Sequence, residues 1–377
     1  MPLPAPAGYG SRSLADLLPS LASGIGVPGL PNVLGVGPCS SALMLLVDGL
    51  GAALIEEHAD CAPTLSALVA GRSLDAGFPA STSISVASLG TGLPPGAHGL
   101  VGLTMQHDGD VLDTLKWTMN GRDATPRAVP EQIQPHPTVF DQVRAAGLRP
   151  VVVSAMAFRQ SSLTRAALRG ADYLGTVAHG DLASVALDAV ARPGSLVYAY
   201  ISELDTVGHV HGPGSEAWRL QLREVDFVVG LLLDRLPPGV ALAVTGDHGM
   251  VTMPAEATVD FDNHPGLQED VVLLAGEPRV RYVHVRPGTE DAVRRRWTET
   301  LGDGFWLGSR REVLAGGWLG PEVSADVAQR VGDLVVVALE NGGVVRRSVE
   351  PVVSRLLGQH GSWTDAERRV ALALHRA

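Results

Sequence analysis

Apolar residues along this chain fall into two rhythms. Four short runs, at 41–47 (SALMLLV), 150–156 (PVVVSAM), 195–201 (SLVYAYI) and 240–246 (VALAVTG), are apolar along their whole length. Continuous rather than alternating hydrophobicity is what a strand covered on both faces requires. Between the last two lies 215–236 (SEAWRLQLREVDFVVGLLLDRL), with apolar residues at three- and four-residue steps and a Pro-Pro stop behind it. That spacing predicts a helix with one buried stripe, and GAALIEEH after the first run repeats it in shorter form. Buried strands alternating with helices predict an α/β fold, a three-layer sandwich around a mostly parallel central sheet. At 11–23 a short amphipathic helix is expected on the outside.

The stretch 264–330 has another texture. EPRVRYVHVRPG reads as a strand, TEDAVRRRWTETLG as a helix, and DGFWLGSRREVLAGGWLG as a further strand and helix. Together they predict a small α+β cap subdomain inserted into a catalytic core of 1–263 and 331–377, with GDLVVVAL at 332–339 returning to the main sheet. Such an insert commonly shapes a ligand pocket, and Arg279, Arg281, Trp297 and Trp306 are its candidate pocket residues.

In open α/β sheets ligands sit at the carboxyl ends of the strands, so polar residues there carry weight. The 41–47 run ends in Asp48 of VDGLG. The 240–246 run ends in Asp247 and His248 of TGDHGM, and the 195–201 run leads into LDTVGHVHGP, where Asp205 and His209 stand four apart. Four-residue spacing puts both side chains on one face of a helix, as two ligands of one ion require. His360 lies in a glycine-flanked turn, GQHGS, near the C-terminus. Each alone has an ordinary structural reading. As a set, three carboxylates and three imidazoles suit two ions with three protein ligands each, and mixed Asp/His ligation favours zinc, with manganese an alternative.

A two-metal hydrolytic site needs a nucleophile. In GFPASTSISVASLGTG (77–92) a proline breaks the chain and a short helix follows at Thr82. There a hydroxyl would meet the positive end of the helix dipole and free N–H groups able to hold a phosphoryl oxygen. A dinucleotide fingerprint fails, because its third glycine would fall at Leu54.

The segments LMLLVDGLG, FPASTSIS with GTGLPPGAHGLVG, LDTVGHVHGP, VTGDHGM and QHG, in this order, resemble the nucleotide pyrophosphatase/phosphodiesterase branch of the alkaline phosphatase superfamily. The resemblance spans roughly residues 40 to 365 and implies two zinc ions bridging a phosphoryl group. By motif position, Asp48, Asp247 and His248 would hold the ion beside a Thr82 nucleophile, and Asp205, His209 and His360 the ion that activates water. It implies hydrolysis of phosphodiester or pyrophosphate bonds in a small, nucleotide-like substrate. One departure stands out. The Asn that members place after the H-G-I/L-V step, to contact a phosphate oxygen, is absent from HGLVGL (98–103), which leaves backbone N–H groups or the hydroxyls of Ser83 and Ser85 as substitutes. Alternatives on the same scaffold are a phosphomonoesterase or phosphonate hydrolase, a metal-dependent phosphomutase, and a metal-binding module without activity.

Charge and composition exclude other classes. With 40 acidic and 29 basic side chains the formal charge is −11, which excludes a general binder of nucleic acid polymer. No uninterrupted apolar run is long enough to span a membrane. The N-terminus lacks a secretory pattern, and Cys39 and Cys61 lack disulfide or CxxC spacing. These features lead to the expectation of a cytoplasmic protein with free thiols, and leave homo-oligomer formation open.

Overall fold

The structure is a computed structural model that describes residues 5–377. Its central sheet has seven strands in the order Ser73–Asp75, Arg369–Arg376, Val240–Thr245, Ser41–Val47, Ser195–Ile201, Arg149–Ala155, Asp172–Thr176. The last five run parallel, while Arg369–Arg376 is antiparallel to both of its neighbours. Alternate residues serve opposite faces, as the pleat demands. Leu43, Leu45 and Val47 pack in one core with Leu182 and with Leu222, Val225 and Val229 of the long helix Glu216–Arg235. Met44 and Leu46 pack in another with Leu17, Val86 and Phe140. Two cores on one sheet make the expected sandwich.

The N-terminal segment departs from expectation. A single 3-10 turn and the helix Leu17–Gly24 bury Leu14, Leu17, Leu18 and Leu21 completely, so this segment is part of the second core rather than an outer decoration. Its apolar residues crowd more than one stripe, and a helix apolar around most of its circumference is buried.

A second, wholly antiparallel sheet has the order Val271–Glu277, Val280–Val285, Leu334–Ala338, Phe305–Ser309. Leu334–Ala338, expected to return to the main sheet, lies inside this one, beyond the limit at 330 expected for the insert. Its uniform hydrophobicity has the same cause as in the main sheet: Leu334 and Val336 face a small core with Trp297 and Val293, whereas Val335 and Val337 face the large core. The chain returns to the main sheet only at Arg369–Arg376. A small hairpin sheet at 104–123, not expected from periodicity, closes on two tight turns in which Asp108-Gly109 and Asn120-Gly121 both have positive φ.

Arg279 and Arg281 do not line a pocket but hold the subdomain down. Fully buried Arg279 donates from Nε and Nη2 to the two carboxylate oxygens of Glu367, at 2.9 and 2.7 Å, and Glu367 also accepts from Ser362 N and Thr364 Oγ1. Arg281 makes a similar fork with Glu350. Trp297 fills the small core, and Trp306 stacks at a tilt on Trp318. Cys39 and Cys61 are unpaired. Among the described residues no helix is long and apolar enough to cross a membrane.

Removing one partner of a buried ion pair strands the other charge at a cost of about 3–5 kcal/mol, whereas replacing both by apolar groups is often neutral. Glu367→Leu is therefore expected to lose about 3–5 kcal/mol in urea unfolding, and the Arg279→Met/Glu367→Leu double variant to recover most of it. Equal loss in both variants would mean that the pair's other hydrogen bonds dominate.

Candidate metal centre and nucleophile

Three neighbouring parallel strands deliver most of the site. Asp48 directly follows Ser41–Val47, Asp247 and His248 follow its neighbour Val240–Thr245, and the helix Glu203–His211, entered from Ser195–Ile201 on the other side, carries Asp205 and His209. Because the strands are in register, their ends converge. Gly49 is the residue that lets them approach, since a Cβ there would lie 3.1 Å from the Asp205 Cα, and its φ of 75° disfavours other side chains. His360 arrives from the far end of the chain, after the short strand Gly358–Gln359 pairs with Val251–Thr252.

The six predicted residues form two adjoining triads, Asp48–Asp247–His248 and Asp205–His209–His360, in each of which one ligand atom per residue lies within 4.8 Å of the others. The rings of His248 and His360 stack with centroids 3.6 Å apart, joining the triads. All three imidazoles are oriented alike. His209 Nδ1 donates to Gly358 O at 2.7 Å, His248 Nδ1 to Gly249 O at 3.0 Å and His360 Nδ1 to Ala80 O at 3.0 Å. A carbonyl only accepts, so each Nδ1 keeps its proton and each Nε2 is left as the ligand atom. This is how outer hydrogen bonds fix metal-binding histidines.

The carboxylates tell the same story. Asp247 Oδ1 accepts from Gly49 N at 2.9 Å and His248 N at 3.0 Å, and Asp48 Oδ2 accepts from the Tyr200 hydroxyl. Yet Asp48 Oδ1, Asp247 Oδ2 and Asp205 Oδ1 are buried without a hydrogen-bond partner. Buried oxygens of this kind are costly unless something completes them, and one orphan on each of the three acids fits cation ligation. The electrostatics agree. Burial, with Asp247 and Asp205 nearby, pushes the Asp48 carboxyl well above the usual range. Burial lowers the His248 imidazole, but Asp247, Asp48 and Asp205 outweigh it and carry it up to about 10. Burial and neighbouring His248 hold His360 well below its ordinary value.

Thr82 stands beside the first triad. It is the first residue of the helix Thr82–Thr91, and Ser81 takes the cap position, so the Thr82 hydroxyl is not used in capping. Its Oγ1 lies 3.1 Å from His248 Nε2. The neighbouring hydroxyls are engaged elsewhere: Ser85 donates to Asp247 O at 2.7 Å and Ser83 accepts from Thr114 at 2.8 Å. The Ser85 proton is thereby spent, whereas Ser83 keeps its own but does not line the cavity beside the triads. The N–H groups of the helix's first turn have no acceptor within the helix and remain as candidates.

A cavity of about 520 Å³ opens beside the cluster, and Asp48, Thr82, Asp205, His209 and His360 all reach its wall. So does Glu277, which sequence reasoning missed. It ends the strand Val271–Glu277, is 2% exposed, and has Oε2 3.8 Å from His360 Nδ1 without a hydrogen bond. Burial pushes its carboxyl up to about 8. The signal was there in LLAGEP, an acid closing an apolar strand just as Asp247 does.

Residues 42–363 match the type I phosphodiesterase / nucleotide pyrophosphatase family, and the chain belongs to that family. Part of it is 37% identical over 78 residues to ectonucleotide pyrophosphatase/phosphodiesterase family member 7 of Rattus norvegicus, covering 19% of this chain and 18% of the rat protein. The human protein of that name is 38% identical over 77 residues, which cover 19% of this chain and 17% of the relative. The chain thus spans under a fifth of the length of these relatives. Among solved structures, murine ectonucleotide pyrophosphatase/phosphodiesterase 5 superposes with a TM-score of 0.67 at 19% identity, covering 88% of this chain and 87% of that one. Phosphonoacetate hydrolase from Sinorhizobium meliloti 1021, in complex with phosphonoformate, superposes at 0.63 and 19% identity, over 89% of this chain and 90% of its own. An inactive variant of the murine protein is solved with AMP, with a TM-score of 0.65 at 18% identity over 88% of this chain and 87% of that one.

Two outcomes are expected from this geometry. A ligand that binds only the folded state raises its stability, so chelation is expected to lower Tm and readdition of divalent metal to restore it. Asp247→Asn should reduce the metal content of the purified protein, whereas an unchanged Tm on chelation would show that the acids are satisfied without an ion.

The second outcome concerns pH. His179, from the helix His179–Val190, bridges Glu203 Oε2 (2.9 Å) at the start of the Asp205 helix and Glu224 Oε1 (2.7 Å) on Glu216–Arg235. Hydrogen bonding to Glu203 is the main cause that lifts its imidazole to about 8, against an opposing effect of burial. A raised pKa stabilises the fold fully below the unfolded value near 6.5 and ceases to do so as pH rises through about 8. The Tm advantage of wild type over His179→Gln should therefore be present at about pH 6 and gone by about pH 9.

Proposed function

We propose that the protein is a two-metal hydrolase of small phosphodiesters or pyrophosphates, including nucleotide-like ones, acting through a covalent phosphothreonine. The observation that carries this reading is the Thr82 hydroxyl at the start of a buried helix, not used in capping and 3.1 Å from His248 Nε2, beside a triad of Asp48, Asp247 and His248 with orphaned carboxylate oxygens. The donor set fits zinc best, with manganese as the second choice. Asp48, Asp247 and His248 would hold the ion nearer Thr82, and Asp205, His209 and His360 the other. When bound, such a pair supplies Lewis-acid stabilisation of phosphoryl charge and favours ionised oxygen nucleophiles.

The protein's own groups do the rest. The Thr82 hydroxyl gives up its proton and its oxygen bonds to phosphorus, while the ester P–O bond breaks and its electron pair leaves on the ester oxygen, which takes up a proton. Water then attacks the same phosphorus, and the threonyl P–O bond breaks to restore the hydroxyl. The free N–H groups at the start of Thr82–Thr91 would hold a phosphoryl oxygen in place of the absent Asn amide. A monoester dianion would bring further negative charge, so a diester is the preferred substrate, and the neighbour solved with AMP supports a nucleotide-like one. We extend the same reading to a cytoplasmic enzyme whose partner is the small phosphate ester itself.

The test is kinetic. Thr82→Ala is expected to keep metal content and Tm, and to lose at least about a thousandfold in kcat on a nitrophenyl nucleotide diester. Near-normal kcat would replace the covalent route by direct attack of water. Comparable kcat/KM on nitrophenyl phosphate would overturn the diester preference, and transfer of phosphate to a second hydroxyl of the substrate would favour a mutase.

A further inference from the structure

We infer that Glu277 is a specificity residue, a hydrogen-bond acceptor that selects phosphodiesters whose retained ester group carries a hydroxyl two carbons from the ester oxygen. This inference rests on the proposed hydrolysis and narrows it. Of the acids on the cavity wall, Asp48 and Asp205 belong to the triads, and Asp113 Oδ1 already accepts from Leu115 N and Lys116 N at 3.0 and 2.8 Å. Glu277 has no such employment. Its Oε1 accepts from Leu103 N at 3.5 Å, a long contact, and its buried Oε2 has no hydrogen-bond partner. The proton of His360 Nδ1, 3.8 Å from that oxygen, is given to Ala80 O.

A side chain able to turn to solvent would escape this position, but the fold holds it there. Glu277 pairs with Val280 across a hairpin tip of Pro278 and Arg279, and the tip is clamped by the ion pairs of Arg279 with Glu367 and of Arg281 with Glu350. On the other side Gly361 makes the space, since a Cβ there would lie 2.7 Å from Glu277 Cδ and Oε2. A buried acceptor fixed in place without a donor is costly, and a ligand that brings the donor offsets that cost.

The surroundings decide which donor. A carboxyl oxygen accepts whether the group is ionised or protonated, so an uncharged O–H suits it in either state. An ammonium would also donate, but two divalent cations held by the adjoining triads would repel it. Ser81 Oγ, buried beside this carboxyl and likewise without a hydrogen-bond partner, adds a group that can both give and receive, as a hydroxyl does. Position decides which ester group is read. In an in-line displacement the leaving oxygen departs on the side of phosphorus opposite Thr82, so the wall that Ser81 and Glu277 form beside Thr82 meets the group that stays on phosphorus. Because Glu277 lies so near His360, the hydroxyl it reads is close to phosphorus.

The test compares 2-hydroxyethyl, 2-methoxyethyl, 2-aminoethyl and propyl nitrophenyl phosphate on the metal-loaded full chain. The hydroxyethyl ester should lead the other three by at least about tenfold in kcat/KM, since the ether and the isosteric propyl ester leave the acceptor unpaired and the amine brings a repelled charge. Glu277→Leu should bring the hydroxyethyl, methoxyethyl and propyl esters to within about threefold of one another. Because it replaces an unsatisfied buried group by an apolar one of similar size, it should also keep or raise Tm. Glu277→Gln, nearly isosteric, should narrow the preference for hydroxyl over ether, as its amide can donate to the ether oxygen. A structural carboxyl would do the opposite, with a lower Tm in Glu277→Leu and the order of substrates kept, and that result overturns the inference. So does a wild type that ranks the ether, the amine or the propyl ester level with the hydroxyethyl ester, and hydrolysis then stands without it. Binding gives a readout apart from turnover: 3-hydroxypropylphosphonate, which has no ester bond to cleave, should bind wild type at least about tenfold more tightly than butylphosphonate, and Glu277→Leu equally. If no phosphate ester is cleaved while that difference in binding persists, the hydrolytic reading falls and the hydroxyl subsite stands.

Discussion

Three carboxylates, each with a buried oxygen that accepts no hydrogen bond, set the terms for the rest of this structure. Asp48 and Asp247 follow two adjacent parallel strands and Asp205 lies in the first turn of the helix after the third, so the three acids share one edge of the sheet. Like charges confined in a low-dielectric environment raise one another's pKa or require a cation. The lifted Asp48 carboxyl and the lifted His248 imidazole are two sides of that conflict. Two ions would resolve it, and the six candidate ligand residues divide into two triads that match that number.

Holding such a cluster open demands rigidity around it. Backbone carbonyls supply it for the imidazoles, since Gly249, Gly358 and Ala80 each take one Nδ1 proton. The Ala80 carbonyl belongs to the segment just before Thr82, so one hydrogen bond ties the orientation of His360 to the position of the candidate nucleophile. Farther out, Glu367 accepts Arg279 from the subdomain and Ser362 N from the His360 loop, which couples the docking of the second sheet to the placement of His360. The subdomain is thus part of the site's support as well as one wall of its cavity.

The catalytic edge was legible in the chain because its signals are local. An apolar run ending in Asp-Gly or Gly-Asp-His-Gly announces both a buried strand and what stands at its end, and Asp205 and His209 share a helical face by spacing alone. What escaped depends on packing between distant segments. Leu334–Ala338 reads the same whether it is covered by the main sheet's helices or by the subdomain, and only the contacts of Val335 and Val337 with the large core distinguish these. The N-terminal helix is buried for a similar reason. Arg279 and Arg281 were candidates for a pocket because arginine usually seeks solvent or ligand, but carboxylates 88 and 69 residues away claim them. The hairpins at 104–123 were written in Asp-Gly and Asn-Gly pairs, a signal that a search for long apolar runs passes over.

A site of this kind must reconcile opposite demands within one cavity. The metal end concentrates charge, and it can do so because the acids' hydrogen bonds and the imidazole tautomers are arranged before any substrate enters, so little reorganisation remains for the reaction. Leucine and valine side chains share the cavity wall with them, and a ligand packed against these would lower the local dielectric and strengthen the electrostatic interactions of the site. Glu277 stands on the boundary between them, with burial holding its carboxyl in the protonated range up to about pH 8, so its presence adds no anion next to the phosphate at neutral pH. The acidity of the chain as a whole, −11, is therefore compatible with binding an anionic ester, because the charge that a phosphate would meet there is local and set by the triads rather than by the surface.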